Sequence, residues 1–296
     1  MQKIIPHLWF DKEAKEAADF YVSIYGKGSK IKNISKLENT PSGSVDTVTF
    51  EVLGWEFQAI SASPLFKFNP SVSFHVKCTS NDEVDTIWEK LSKGGTALME
   101  LGTYPFSERY GWVQDKYGLS WQLIYSGEVD LKQKITPVIM FVGNVCGKAE
   151  EAVYFWTSLF QEAKVNAILR FGKGEEPEKE GTLKYATFSL FSQEFGAMDS
   201  AHEHTFGFNE AISFIVYCNT QAEIDFYWEK LSAVPEAEQC GWLKDKYGFS
   251  WQIVPIAMDE MMREGSKEQI ARVTEAFLMM KKFDIESLKR AYQGSV

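Results

Sequence analysis

A fourteen-residue segment occurs twice in this chain, and it constrains the fold more than any other feature. Residues 111–124 (GWVQDKYGLSWQLI) return as residues 241–254 (GWLKDKYGFSWQIV), with nine positions identical and both tryptophans in register. The segment 88–92 also recurs, unchanged, at 228–232. Internal repeats of this kind indicate a tandem duplication, so we expect the two halves to fold on the same plan.

Hydrophobic periodicity predicts the same order of elements twice in each half. Apolar residues at helical spacing predict a first helix over 12–25, and Ser80 with Glu83 forms a capping-box pattern that opens a second helix, as do Thr220 and Glu223 in the other half. The predicted strands of the first half are 4–10, 45–53, 55–60, 72–78, 112–114 and 119–124. We expect residues 97–109 to be irregular. Each half is thus predicted to contain two βαβββ units.

Composition limits the classes of function. A length of 296 residues suits about two domains, and 45% hydrophobic residues can supply two cores. The net charge of −10, without a cluster of Lys or Arg, disfavours binding to nucleic acid or to an anionic membrane. No signal peptide or long apolar span is evident, and the four cysteines lack the spacing of a zinc site. We therefore expect a cytoplasmic protein.

The repeated units and the closing motif Gly-Trp-x-x-Asp-x-Tyr-Gly-x-Ser-Trp-Gln resemble the vicinal oxygen chelate superfamily. Within it, the chain is most similar to the PhnB-like branch, whose members are often named 3-demethylubiquinone-9 3-methyltransferase-like. The resemblance implies an α+β fold with two such domains, 1–127 and 134–257, each a cup-like mixed sheet of two βαβββ units. Residues 258–296 are expected to form a helical C-terminal extension. Whether units pair within a half or between halves is left open.

Metal-using members of the superfamily hold a divalent ion at the floor of the cup with four His or Glu ligands, one from each of four strands. By resemblance, the matching positions of the first half are Pro6 (or His7), Gln58, Ser73 and Gln122. Those of the second half are Pro137 (or Val138), Gly196, Ser213 and Gln252. A divalent ion favours charged oxygens or imidazole nitrogens, which are nearly missing from these positions. We therefore predict no metal and no cofactor.

The candidate ligand-binding residues are polar side chains on the faces that should line the cups: Gln58, Ser73, His75, Gln122, Ser213 and Gln252. His75 shares a strand face with Ser73, and it is either a binding residue or a hydrogen-bonded strand histidine. Gln122 and Gln252 either point into the cups or pair with Ser73 and Ser213. If Pro6 faces inward, His7 should face the helix.

These observations predict a metal-free protein that binds a small apolar or aromatic molecule in the cup. The alternative is a divalent-metal-dependent lyase, isomerase or dioxygenase. A third possibility is the methyltransferase of the branch name, which we disfavour because no strand–Gly-x-Gly–helix segment is present to cradle a cofactor. The expected partner is a small molecule, and the chain is expected to be a monomeric pseudo-dimer or a homodimer. Whether it catalyses a reaction is left open.

Overall fold

The computed structural model describes residues 2–40, 42–127 and 131–295. Within these ranges the helices are α1 Ala14–Tyr25, α2 Asn81–Ser92, α3 Ala149–Leu159, α4 Gln221–Leu231, α5 Ile256–Glu264, α6 Lys267–Leu278 and α7 Ile285–Gln293. The strands of the first half are β1 Ile4–Phe10, β2 Lys30–Thr40, β3 Gly43–Val52, β4 Trp55–Ser61, β5 Val72–Cys78, β6 Thr96–Tyr104, β7 Ser107–Gln114 and β8 Ser120–Tyr125. Those of the second half are β9 Ile135–Phe141, β10 Lys164–Arg170, β11 Leu183–Leu190, β12 Gln193–Asp199, β13 Ile212–Cys218, β14 Trp242–Lys244 and β15 Ser250–Pro255.

The strands form two mixed sheets, and each sheet takes one unit from each half of the chain. Sheet A has the order β14-β15-β13-β1-β4-β3-β2, which joins the first unit to the last. Sheet B has the order β10-β11-β12-β9-β5-β8-β7-β6, which joins the two middle units. The units therefore pair between halves, which settles the alternative that the sequence leaves open.

The two sheets are joined at equivalent antiparallel seams. In sheet A, β1 pairs with β13, and His7 lies opposite Ser213. In sheet B, β9 pairs with β5, and Val138 lies opposite Ser73. Because the same repeat positions meet at both seams, the molecule has an internal pseudo-twofold arrangement.

One face of each sheet packs on helices around large aromatic side chains. Trp121 and Trp251 are fully buried, and Trp121 lies 5.2 Å from Tyr21 of α1 between ring centroids. Asp245 is also fully buried, and its carboxylate accepts hydrogen bonds from two backbone N–H groups and from the indole N–H groups of Trp156 and Trp251. Asp115 makes the equivalent contacts in the other sheet. These carboxylates tie the closing hairpins to the helices.

Two sequence predictions are wrong at the sheet edges. Residues 97–109 were expected to be irregular, but all except the turn at 105–106 belong to β6 and β7, which pair with three register shifts. Such an edge pairing is half-exposed and gives little hydrophobic alternation. The prediction of a complete second βαβββ unit in the second half is also wrong, because the described residues of that unit form no strand equivalent to β6, and a 3₁₀ turn over Pro235–Ala237 takes its place. There the backbone N–H groups of Cys240 and Gly241 donate to the carbonyls of Met280 and Lys281 in the C-terminal extension.

The C-terminal extension folds back onto sheet A as the three helices α5, α6 and α7. They share a separate hydrophobic cluster with Ile5, Ile215, Tyr217 and Val254, which lie on the sheet face opposite the main core. Gly241 has a φ of +81°, and a Cβ there would lie 2.5 Å from the Phe283 ring. A glycine is therefore required where the extension meets the sheet.

No helix within residues 2–40, 42–127 and 131–295 combines the length and the apolar character needed to cross a membrane.

Candidate functional site

The concave face of each sheet, turned away from helices α1 to α4, is the candidate site. We call the concave faces of sheets A and B cup A and cup B. In cup A, His7 lies opposite both Gln58 and Ser213, and Gln252 donates a hydrogen bond to Ser213 Oγ at 2.9 Å. The position left open between Pro6 and His7 is thus taken by His7. The condition under which His7 was expected to face the helix is not met, because Pro6 points to the helix side of β1 and His7 points into cup A.

Cup B brings together Ser73, Gln122, Val138 and Gly196. Ser73 lies opposite Val138, Val138 lies opposite Gly196, and Gln122 donates a hydrogen bond to Ser73 Oγ at 2.7 Å. His75 lies beside Gln122 on the same face. The predicted site residues are therefore divided between the cups, and not by halves. Gln58, Ser213 and Gln252 lie in cup A, whereas Ser73, His75 and Gln122 lie in cup B. The assignment of Gln58 to one site with Ser73 and Gln122 is wrong, because the units pair between halves.

The glutamines of both floors are engaged within the protein. In cup B, Tyr110 donates to Gln122 Oε1 at 2.7 Å, so both ends of this amide have partners. In cup A, Gln58 donates to the hydroxyl of Tyr217, which in turn donates to Asp259 of α5 at 3.1 Å. The alternative that Gln122 and Gln252 pair with neighbouring serines is therefore observed.

The residues at the floor of the cups do not fit a divalent metal ion. Cup A offers one imidazole, two amides and a hydroxyl, and cup B offers one amide and one hydroxyl beside Val138 and Gly196. Neither floor contains a carboxylate, and hard divalent cations favour charged oxygen ligands. In the described part of the chain, no group of three or more His, Cys, Asp or Glu side chains is placed to hold a metal ion.

Each cup contains one histidine whose ring has a buried nitrogen without a hydrogen-bond partner in the described ranges. These atoms are His7 Nδ1 in cup A and His75 Nε2 in cup B. Burial lowers the pKa of each histidine to about 4, and the charge of Lys77 adds to the effect at His75. Both rings are therefore neutral at pH 7. Among the described residues, Thr136 Oγ1, directly opposite His75, is also buried and unpaired.

Cup A is covered by the C-terminal extension. Ile5, Ile215, Tyr217 and Val254 of the concave face pack against side chains of α5 to α7 and the segment between the last two helices. His7 lies beyond this contact, with its ring 5.5 Å from that of Trp242 in an edge-on geometry. The extension therefore fills one end of cup A with its own apolar side chains.

In the described part of the chain, cup B is open at the equivalent end. A pocket of about 570 Å³ lies there, and its lining is polar: Lys77, Leu131, Lys132, Gln133, Glu162, Lys164, Asn166, Ser189, Ser192 and Glu194. Tyr110 lies opposite Ile124 of β8 and is buried close to Tyr185 of β11, and burial together with the nearby tyrosines raises the pKa of Tyr110.

Comparison of the repeat positions explains why this end is covered in cup A and open in cup B. The face of cup A under the extension has Ile5 and Ile215 opposite each other, and cup B has Thr136 and His75 in the same places. Two residues further along the strand, Tyr217 of cup A corresponds to Lys77 of cup B. Lys77, Thr136 and Glu194 were missed by sequence reasoning. The exchange of apolar for polar residues between repeats could have identified Lys77, which corresponds to Tyr217, and Thr136, which corresponds to Ile5. Glu194 gives no such signal, because its equivalent in cup A is Glu56.

Comparisons with known proteins agree with this architecture. The family model described as 3-demethylubiquinone-9 3-methyltransferase matches residues 2–124 and 133–254. Among solved structures, a putative 3-demethylubiquinone-9 3-methyltransferase, a PhnB protein from Bacillus cereus, is 42% identical over 42% of this chain and 100% of its own, with a TM-score of 0.40.

Two further solved structures share the fold over most of the chain. Glyoxalase I from Zea mays has a TM-score of 0.53 at 12% identity and covers 88% of this chain and 94% of its own. A putative dioxygenase from Bacillus subtilis has a TM-score of 0.50 at 12% identity and covers 94% of this chain and 96% of its own. A comparison with functionally curated proteins found no match. The chain belongs to the PhnB-like 3-demethylubiquinone-9 3-methyltransferase family, and it shares its fold with the glyoxalase I and dioxygenase structures above.

Proposed function

We propose that this protein binds a small organic molecule in cup B without the help of a metal ion. The observation that carries the proposal is the open pocket of about 570 Å³ on a concave face whose floor offers no ligand set for a divalent ion. Its volume lies within the range of about 300–1,000 Å³ typical of small-molecule sites. The equivalent space of cup A is filled by the protein itself, so we assign one binding site to each chain.

The lining refines the expected ligand. Nine of the ten lining residues are polar or charged, so a purely apolar molecule would leave these groups without partners. Aromatic side chains lie elsewhere in the same sheet, where Tyr104, Phe106 and Tyr110 form a cluster with ring centroids 4.9–5.6 Å apart. A ligand with a small aromatic ring and a polar group suits the site better than a hydrocarbon.

Ligand screening by protein-observed NMR tests the proposal. Binding should shift resonances of cup B residues such as Ser189 and Glu194, and should be unchanged after treatment with a chelator. Ser189→Trp, which fills the pocket from β11, should abolish binding. The matched control is Glu51→Trp at the equivalent position of β3, which should leave binding in cup B intact. Binding that is lost with chelator, or that maps to cup A, would contradict the proposal.

A metal-dependent lyase, isomerase or dioxygenase is the second candidate. It is favoured by the unpaired ring nitrogens of His7 in cup A and His75 in cup B. It requires about one equivalent of a divalent metal per active site in the purified protein. His7→Ala or His75→Ala must then lower the metal content, as measured by elemental analysis.

Methyl transfer, the activity in the name of the family, is the third candidate. The glycine-containing segment 171–176 lies in the connection between β10 and β11 and is not followed by a helix, so it lacks the geometry that cradles a nucleotide-like cofactor. Binding of S-adenosylmethionine in a calorimetric titration would revive this candidate. We further propose that the protein is cytoplasmic and that it acts as a monomer, since both sheets are completed within one chain.

A further inference from the structure

We propose that the pocket of cup B selects small organic molecules that carry an oxyanion group, such as a carboxylate or a phosphate. The inference rests on the proposed function, because it names the class of ligand for the same pocket. It is carried by the charges of the lining, by two unpaired polar groups beside it, and by comparison with the covered cup.

The described lining has more cationic than anionic side chains. Lys77, Lys132 and Lys164 line the pocket together with Glu162 and Glu194, although the whole chain carries a net charge of −10. Charges elsewhere on the surface are screened over about 8–10 Å at physiological salt, so the local balance decides which ligand is favoured. This balance favours an anion.

Lys77 is the most enclosed of these cations. Its side chain is 28% exposed, and its ammonium group lies 3.0 Å from a carboxylate oxygen of Glu194, which is 42% exposed. An ammonium group has three donors, so the contact with Glu194 leaves donors for a ligand. Lys77 therefore provides a charged hydrogen bond at the inner wall of the pocket.

Two polar atoms lie on the same face of the sheet as Lys77, one pair of residues further from the pocket. His75 precedes Lys77 by two residues, and Thr136 lies directly opposite His75. His75 Nε2 and Thr136 Oγ1 are buried and have no partner within the described part of the chain. A buried polar group without a partner is costly, and a ligand oxygen that accepts from the Thr136 hydroxyl would remove that cost. The Thr136 hydroxyl and the Lys77 ammonium together suit an oxyanion.

Cup A shows that the fold does not require this charge distribution. There, Lys30 lies opposite Glu51 and forms an ion pair with it at 3.3 Å. At the equivalent place in cup B, Lys164 lies opposite the neutral Ser189. The carboxylate of Glu51 in cup A is thus replaced by the hydroxyl of Ser189 in cup B. As a result, Lys164 makes no ion pair among the described residues.

Calorimetric titration with four related probes tests the inference: benzoate, phenyl phosphate, benzyl alcohol and benzylamine. We expect benzoate or phenyl phosphate to bind at least about tenfold more tightly than benzyl alcohol, the equivalent of one charge-assisted hydrogen bond. The tighter of the two anions identifies a carboxylate or a phosphate as the preferred group. Raising the salt concentration should weaken binding of both anions.

Two variants of the Lys77–Glu194 pair should change anion affinity in opposite directions. Lys77→Met removes the donor and should weaken binding about tenfold, whereas Glu194→Gln removes a competing negative charge and should tighten it. The control is Lys30→Met, which removes the lysine at the position of cup A that corresponds to Lys164 and should have no effect. NMR shifts at Ser189 confirm that the probe occupies cup B.

The outcomes separate the inference from the proposed function. If benzyl alcohol binds in cup B as tightly as benzoate, or if benzylamine binds best, the selection of anions is refuted while binding in cup B stands. Weaker anion binding by Glu194→Gln would also refute the selection. If none of the four probes binds in cup B at millimolar concentration, both the inference and the proposed function fail for ligands of this size.

Discussion

Replacement of Thr136 by valine should make the unliganded protein more stable. The Thr136 side chain is 3% exposed, and its hydroxyl oxygen is buried without a hydrogen-bond partner in the described structure. Leaving such a group unpaired costs about 1–3 kcal/mol. Valine keeps the shape and the strand preference of threonine, so Thr136→Val should recover about 1–2 kcal/mol of the free energy of unfolding.

Urea denaturation followed by tryptophan fluorescence measures this change as a higher midpoint. The matched control is Thr47→Val, also in a strand, because the Thr47 hydroxyl is hydrogen-bonded to Ser35 Oγ at 2.6 Å. That substitution should lower the free energy of unfolding by about 1 kcal/mol. If Thr136→Val were as destabilising as the control, the Thr136 hydroxyl would have a partner, and the reasoning about an unmet donor would be refuted.

Three further predictions concern the histidines, a buried carboxylate and the C-terminal extension. The native pKa values of His7 and His75, about 4, lie below the ordinary value of 6.5, so the unfolded state takes up protons first as the pH falls. The free energy of unfolding should therefore decrease between pH 6.5 and 4, by about 3 kcal/mol for each histidine, and His75→Val should remove about half of this dependence in urea titrations. Asp245→Ala leaves four buried N–H donors unpaired and should cost at least about 3 kcal/mol by the same assay. Phe283→Ala should release the extension, seen as faster hydrogen exchange in residues 256–293 with little change in sheet B.

The element order could be read from the sequence because the repeat supplies each pattern twice. The capping residues Ser80 and Thr220 begin the helices as predicted, and each accepts a hydrogen bond from the backbone N–H three residues later. Gln122 and Gln252 lie on the concave faces, as expected, because side chains alternate along a strand and the neighbouring Trp121 and Trp251 are buried on the helix side. These are local properties that a strand or a helix expresses wherever it packs.

The pairing of units could not be read, because the competing partners have nearly the same sequence. β1 pairs with the strand containing Ser213 and Phe214, but Ser73 and Phe74 offer the same residues in β5. The side of β1 to which the His7 side chain points could not be predicted either. Six of the seven residues of β1 are buried, so this strand shows no alternation from which a concave side could be identified. Both questions are decided by contacts distant in sequence.

The sharing of each sheet by both halves has a consequence for how the two concavities can diverge. A dimer of two identical chains built this way would carry two identical hollows, and every substitution would alter both. Joining the copies into one polypeptide removes that constraint, so isoleucine can be kept in one hollow while threonine or histidine occupies the matching place in the other. One hollow now binds the C-terminal helices of its own chain, and the other has stayed accessible. Covalent fusion thus allowed a division of labour that symmetry would forbid.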